Sequence, residues 1–245
     1  MAEKQEDPWM PAPQAPVGCP PGLEYLTQLD QVLVNQQLEL TEILTGCVTR
    51  NDYRLRNSLG QQFYFAEEDS SCFARQCFKE NRPFSMSIKD NNGVEVIHLE
   101  RPLRCSAWCC FCCLQELEVQ APPGQIVGYV KQDCTFLYPI FTIENGSHEP
   151  VLKIKGPLCT CRCCADVEFQ ITSIDGTHRV GKISKQWSGL VKEFFTSADN
   201  FGIQFPMDLD VKLKAVMIGA CMLIDFMFFE RQQSGGHGGS GGGGH

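Results

Sequence analysis

The chain has 245 residues, 43% of them hydrophobic, enough to bury one substantial core and, in an all-β protein of this length, commonly one domain. Its 21 basic and 29 acidic residues give a net charge of -8, which opposes generic binding to a phosphate backbone and disfavours a nucleic-acid partner. Fifteen cysteines would suggest a disulfide scaffold in a secreted chain, but the number is odd and the opening MAEKQEDPW is charged, with no apolar h-region, so a cytosolic start is expected and the sequon at Asn145 goes unused.

Six of the fourteen prolines precede Gly22, in a setting that favours extended polyproline over packing, so residues 1–21 are expected to form a proline-rich disordered arm. Pro8 to Pro11 and Pro13 to Pro16 have the PxxP spacing of an SH3-type ligand. No Arg or Lys flanks them to orient such a partner, and a plain linker fits better. The folded domain is expected over 22–231, opening with a short N-terminal helix. From Tyr53, YRLRNSLGQQFYFAEED reads as a hairpin turning around Ser58 to Gly60, and Glu67, Glu68 and Asp69 at its end read as a solvated loop.

Two longer segments repeat one pattern. FSMSIKDNNGVEVIHLERPLRC from Phe84 and FTIENGSHEPVLKIKGPLC from Phe141 are each an alternating strand, an Asn/Gly turn, a second alternating strand, then Pro-Leu and a cysteine. Val96 matches Val151, and Pro102 matches Pro157. Each is followed by another strand pattern, LQELEVQ from Leu114 or DVEFQIT from Asp166, and then by VGYVKQ from Val127 or VGKISKQW from Val180. With the weaker hairpin from Tyr53, three copies of about four strands predict a closed antiparallel barrel of about twelve strands.

Each long copy ends in cysteines. The first cluster holds Cys105, Cys109, Cys110, Cys112 and Cys113 around Trp108 and Phe111; the second holds Cys159, Cys161, Cys163 and Cys164. CCFCC is too compressed to gather four sulfurs tetrahedrally by itself. Shared metal ligation between the clusters, thioacylation of the first, and plain burial as small hydrophobes all remain open. Thioacylation suits cysteines flanked by aromatic residues and would hold the domain on a membrane without a span.

Beyond the second cluster, GKISKQWSGL carries Lys182 and Lys185 beside Gly181 and Trp187, too sparse for a basic import signal and better read as a strand end with a packed Trp. In SADNFGIQFPMDLD, a twelve-residue calcium loop would take side-chain oxygens from Ser197, Asp199 and Asp208 and backbone carbonyls from Phe201 and Ile203. Phe205 and a closing Asp in place of a bidentate Glu make the match poor, so a solvated acidic loop fits better, and calcium would bind no tighter than about 10⁻⁴ to 10⁻³ M. There is no GxSxG, P-loop, GxGxxG or HExxH, and His98, His148 and His178 stand on separate elements; nothing demands catalysis.

The last ordered element, expected over 212–230, contains AVMIGACMLIDFMFF from Ala215 to Phe229, apolar on every helical face except at Asp225. Fifteen residues of helix reach about 22 Å against a bilayer core of about 30 Å, which leaves two readings, a tight, tilted or half-inserted membrane anchor or a helix buried inside a core. A barrel of twelve strands needs a filling, and this helix can supply it, with Ala215 and Gly219 allowing close backbone approach. Asp225 then requires a hydrogen-bond partner from a strand. Residues 232–245 form a Gly/Ser/His flexible tail.

Together, CPPGLEYL from Cys19, ERPLRC from Glu100, LQELEVQAPPGQIVGYV from Leu114, GKISKQWSGL from Gly181, ADNFGIQFPMDLDVKLKAV from Ala198 and LIDFMFFE from Leu223 resemble a phospholipid scramblase of the plasma-membrane type, over Cys19 to Arg231. The resemblance implies calcium-activated, ATP-independent, bidirectional transbilayer movement of phospholipids, no enzymatic step, a type II topology, and a Tubby-like barrel around a helix. It implies palmitoylation at Cys109, Cys110, Cys112 and Cys113, although Trp108 stands where a further cysteine is usual and Phe111 where proline is usual. It implies calcium ligation from Ser197 to Asp208, weakened because Ser197 replaces an expected Asp, and an importin-type carrier for Gly181 to Leu190. The expected location is the cytoplasmic face of the plasma membrane, with nuclear entry. A second reading is a palmitoylated membrane-associated binding module, conditionally nuclear, with no lipid transport of its own.

Overall fold

The computed structural model describes residues 8–37, 50–78, 81–104, 114–158, 167–185 and 200–229. Twelve strands form a single closed sheet, each antiparallel to its neighbours and each beside the next in sequence, with the last closing onto the first. They are β1 (Gln31–Gln37), β2 (Asp52–Arg56), β3 (Gln62–Asp69), β4 (Phe84–Lys89), β5 (Glu95–Arg101), β6 (Glu116–Gln120), β7 (Ile126–Gln132), β8 (Ile140–Asn145), β9 (Pro150–Lys155), β10 (Val167–Ser173), β11 (Arg179–Lys185) and β12 (Asn200–Gln204). A 3₁₀ turn over Glu24–Gln28 precedes them, a short helix α1 (Cys72–Phe78) connects β3 to β4, and α2 (Val211–Phe228) ends the described chain. The expected barrel around a C-terminal helix is the observed fold. Its long repeats are β4 to β7 and β8 to β11, and the weaker copy opens with β2 and β3.

Alternation makes this sheet two-faced. Phe84, Met86 and Ile88 on β4, Phe141 and Ile143 on β8, and Val167, Phe169 and Ile171 on β10 point inward and are buried. They meet α2, on which every residue from Lys214 to Phe226 is buried. A helix with no polar face has nowhere else in water to go, and each large apolar side chain it hides stabilises the fold by about 1.5–3 kcal/mol. Asp225 finds the strand partner it requires: the Tyr53 hydroxyl on β2 donates to its Oδ2 at 2.7 Å, inside the core.

Because strand direction alternates, the connections fall at two ends. At the end where α2 begins, tight turns close the hairpins. Asp90 Oδ1 accepts from the backbone of Asn92 and Val94, and Asn145 Oδ1 accepts from Ser147 and Glu149, each about 2.9–3.0 Å away. Asp210 caps α2 by accepting from the Lys212 amide. The Lys214 ammonium, fully buried, donates to the carbonyls of Leu26, Leu29 and Met207 at 2.9, 2.8 and 2.7 Å and stitches the entry turn to the helix. Burial pushes its pKa down, against the pull of Asp30 and Asp208.

Two expectations change. Residues 8–21 of the proline-rich arm are placed: Trp9 bridges to Gln62, the Met10 amide donates to the Gln62 carbonyl at 2.7 Å, and Met10 joins the core. The extended backbone that proline imposes is also the geometry of an added strand, and one apolar side chain anchors it. Glu67, Glu68 and Asp69 are not a loop but the end of β3, and Glu68 is buried.

Close packing of helix on sheet gives two contrasting substitutions. A Cβ on Gly128 would stand 2.4 Å from the Glu144 carbonyl oxygen and 2.7 Å from Val216, so Gly128→Ala should lower stability in urea unfolding by about 1–3 kcal/mol. At Gly219 the nearest atoms are side-chain methyls of Val119, Leu117 and Leu99, and the helix propensity of Ala offsets the crowding, so Gly219→Ala should stay within about 1 kcal/mol. Tyr53→Phe withdraws a donor from a buried carboxylate and should cost about 1.5–3 kcal/mol in the same assay.

Candidate functional site

The end of the barrel where α2 finishes is built differently. The last helical carbonyls carry partial negative charge, and no basic residue of the helix itself lies in its last turn. The strands and their approaches supply the cations instead: Arg82, Arg101 and Lys185, all at most 2% exposed. The Arg82 guanidinium lies 4.6 Å from the Phe226 ring centre, Arg101 lies 5.8 Å from Phe84, which stacks on Phe226, and Lys185 Nζ lies 4.1 Å from Phe229. Desolvated cation–π contacts of this kind contribute up to about 2 kcal/mol each.

Each cation is also held by polar groups or rings. Arg82 donates from Nε and Nη2 to the two Glu68 oxygens at 2.7 and 2.9 Å, and the Asn51 amide donates to the same carboxylate at 2.9 Å. Arg101 donates twice to Gln115 Oε1, at 3.0 and 2.7 Å. Lys185 lies between the Phe229 and Phe201 rings. The collar was not expected as a site; of its cations only Lys185 was an expected site residue, as part of the import-like segment. Its signal is in the sequence, because Glu68, Arg101 and Lys185 each continue the inward-facing period of a strand, after Ala66, Leu99 and Ile183.

The strand ends that flank both cysteine clusters lie at this same end. Cys109, Cys110, Cys112 and Cys113 lie outside the described residues, between β5 and β6, and the second cluster lies outside them between β9 and β10. Arg101 to Arg104 and Leu114 flank the first cluster, where the Arg104 guanidinium donates to Glu116 at 2.5 Å. Among the described residues, no group of three or more His, Cys, Asp or Glu side chains is placed to hold a metal ion.

Only part of the calcium segment lies among the described residues. Ser197 and Asp199 lie outside the described residues. Phe201 and Ile203 are inward, buried positions of β12, which pairs with β1 on one side and β11 on the other. Four residue steps of strand carry the chain about 13 Å, so Asn200 starts at the collar end while Asp208 follows at the opposite end, beside the start of α2. Phe201 and Ile203 thus lie in a strand paired on both sides, and Asp208 lies beyond its far end.

Gly181 to Lys185, the described part of the import-like segment, belong to β11. A Cβ on Gly181 would stand 2.0 Å from the Gln204 carbonyl oxygen, so this glycine serves strand contact. Lys182 bonds Glu168 at 3.0 Å and Lys185 belongs to the buried collar, while Trp187 lies outside the described residues. On the helix, Ala215, Gly219, Asp225 and Phe229 are all buried, and the Cys221 thiol is pushed well up, first by burial and then by Asp225. Among the described residues no helix is long and apolar enough to cross a membrane, and α2 fills the barrel.

Comparison with known proteins fits this geometry to one family. The family model described as Scramblase matches residues 10–231. The chain is 63% identical over 223 residues to "Phospholipid scramblase 1" of Homo sapiens, covering 91% of this chain and 70% of that protein. It is 62% identical to "Phospholipid scramblase 2" of Bos taurus, covering 91% and 76%, and 54% identical to "Phospholipid scramblase family member 5" of Homo sapiens, covering 89% and 81%. No solved structure gives a significant match. A helix-filled barrel whose sequence matches that model from Met10 onward belongs to the scramblase family.

Proposed function

We propose that the chain moves phospholipids between the leaflets of a membrane, in both directions and without ATP, from the cytoplasmic face of the plasma membrane, with calcium as a weak activator. The observation that carries this reading is membership of the scramblase family over nearly the whole chain, among relatives named for phospholipid scrambling. The proposal calls for no covalent chemistry on the lipid. The likeness to a Tubby-like domain is part of it, supported by the helix enclosed in the barrel.

Anchoring is proposed at Cys109, Cys110, Cys112 and Cys113. Each buried methylene of an acyl chain contributes about 0.8 kcal/mol, and two chains hold a protein firmly. The filled core supports a lipid path outside the barrel, because α2 occupies the space that a headgroup would need to cross. Calcium acts weakly in this reading, since β12 separates the positions that one loop would have gathered.

The same filled core favours a second reading, an acylated binding module without lipid transport. In it, capture by an importin-type carrier requires β11 to leave the sheet, since Lys182 is paired and Lys185 buried. SH3-type docking on the arm belongs here too, and the exposed Pro11 and Pro16 leave surface for it.

Reconstitution separates the two. The pure protein in vesicles with fluorescent phospholipid should raise the reagent-accessible fraction above the outer-leaflet share, faster with millimolar calcium; an unchanged leaflet ratio contradicts the first reading. In cells, replacing Cys109, Cys110, Cys112 and Cys113 together by Ala should lower the membrane-bound fraction, and an unchanged fraction would show that acylation does not contribute to the anchor.

A further inference from the structure

The two ends of the barrel differ in what they show to solvent. At the end where α2 begins, exposed apolar residues such as Leu59, Val94 and Met207 stand singly beside polar turn residues. Scattered residues of this kind are ordinary surface. At the collar end, the β7–β8 connection presents a continuous run, with Phe136 90% and Leu137 61% exposed.

This run is held outward, not left loose. The Asp133 amide donates to the Ile140 carbonyl at 2.8 Å, Thr142 Oγ1 donates to Asp133 at 2.8 Å, and the Thr135 hydroxyl donates to the Tyr138 carbonyl. Lys155 Nζ sits 4.7 Å from the Tyr138 ring centre, an arrangement in which a cation stays wet behind an apolar tip. A tip ordered in advance loses little entropy on insertion.

Other connections at the same end carry matching groups. Helix α1 exposes Phe73 and Phe78, and Leu103 and Leu158 are exposed where the chain leaves β5 and β9 toward the two cysteine clusters. Free cysteine is among the most buried of residue types, yet Cys72, Cys77 and Cys134 are exposed here, each within two residues of an exposed aromatic side chain.

We infer that this rim is a lipid-docking face, with Phe136 and Leu137 inserting into the interfacial layer of a phospholipid bilayer independently of any acyl chain. The inference rests on the reading that the chain works at a membrane. Two adjacent exposed apolar side chains on one ordered tip suit insertion into a deformable layer better than docking on a flat protein interface. With a net charge of -8, attachment is by apolar insertion and not by attraction to anionic headgroups.

The test uses the full chain without acyl groups, floated with vesicles of phosphatidylcholine and phosphatidylserine. Phe136→Ser with Leu137→Ser should weaken partitioning by roughly tenfold or more. Leu59→Ser with Val94→Ser, at the other end, should leave it unchanged, and raised salt should not release the unsubstituted chain. No binding by the unsubstituted chain, equal losses in both pairs, no loss in the first, or release by salt would each overturn the inference. Lipid movement is measured on acylated protein in parallel. Loss of the difference between the two pairs in flotation, with scrambling intact, removes the docking face alone, while binding that needs Phe136 and Leu137 without lipid movement removes the scramblase reading alone.

Discussion

The structure depends on hiding one helix that has no face for water. α2 runs for 18 residues, and from Lys214 to Phe226 none of it reaches solvent. A helix of this kind needs a continuous apolar wall, which an open sheet cannot provide on all sides, whereas twelve closed strands can. The polar atoms drawn inside are then constrained. Asp225 is acceptable because Tyr53 meets it, Lys214 because three carbonyls receive it, and the collar cations because Glu68, Gln115 and aromatic rings surround them. Breaking a buried pair such as Glu68 and Arg82 costs about 3–5 kcal/mol, so these contacts fix which way the helix enters.

The filled core moves function to the outside. One end is sealed by short polar turns, the entry turn and the helix cap. The other receives the strand ends that flank both cysteine clusters and carries the exposed Phe136 and Leu137. In the proposed reading, scrambling is then a matter of what the rim does to a bilayer, since α2 occupies the interior.

Much of the fold was legible in the sequence because the repeats carry period-two alternation and turn residues at fixed offsets. Pro102 and Pro157, and Val96 and Val151, mark the same points of two successive hairpins. The need of Asp225 for a partner was legible, but Tyr53 was not, since contacts between distant residues leave no local trace. Within the calcium segment, Phe201 and Ile203, alternating with small and polar residues, were the signal for the strand β12. The acidic run at Glu67 to Asp69 misled by composition, whereas Glu68 sits on the inward register with Tyr64 and Ala66.

The central claim is that α2 stays inside the barrel while the protein is on a membrane. Photolysis of a lipophilic carbene precursor dissolved in the bilayer, followed by peptide mapping, tests it most directly. The account predicts adducts on the rim and none on the peptide containing Ala215 to Phe229. Adducts along that helix at the level of a lipid-facing span would contradict it.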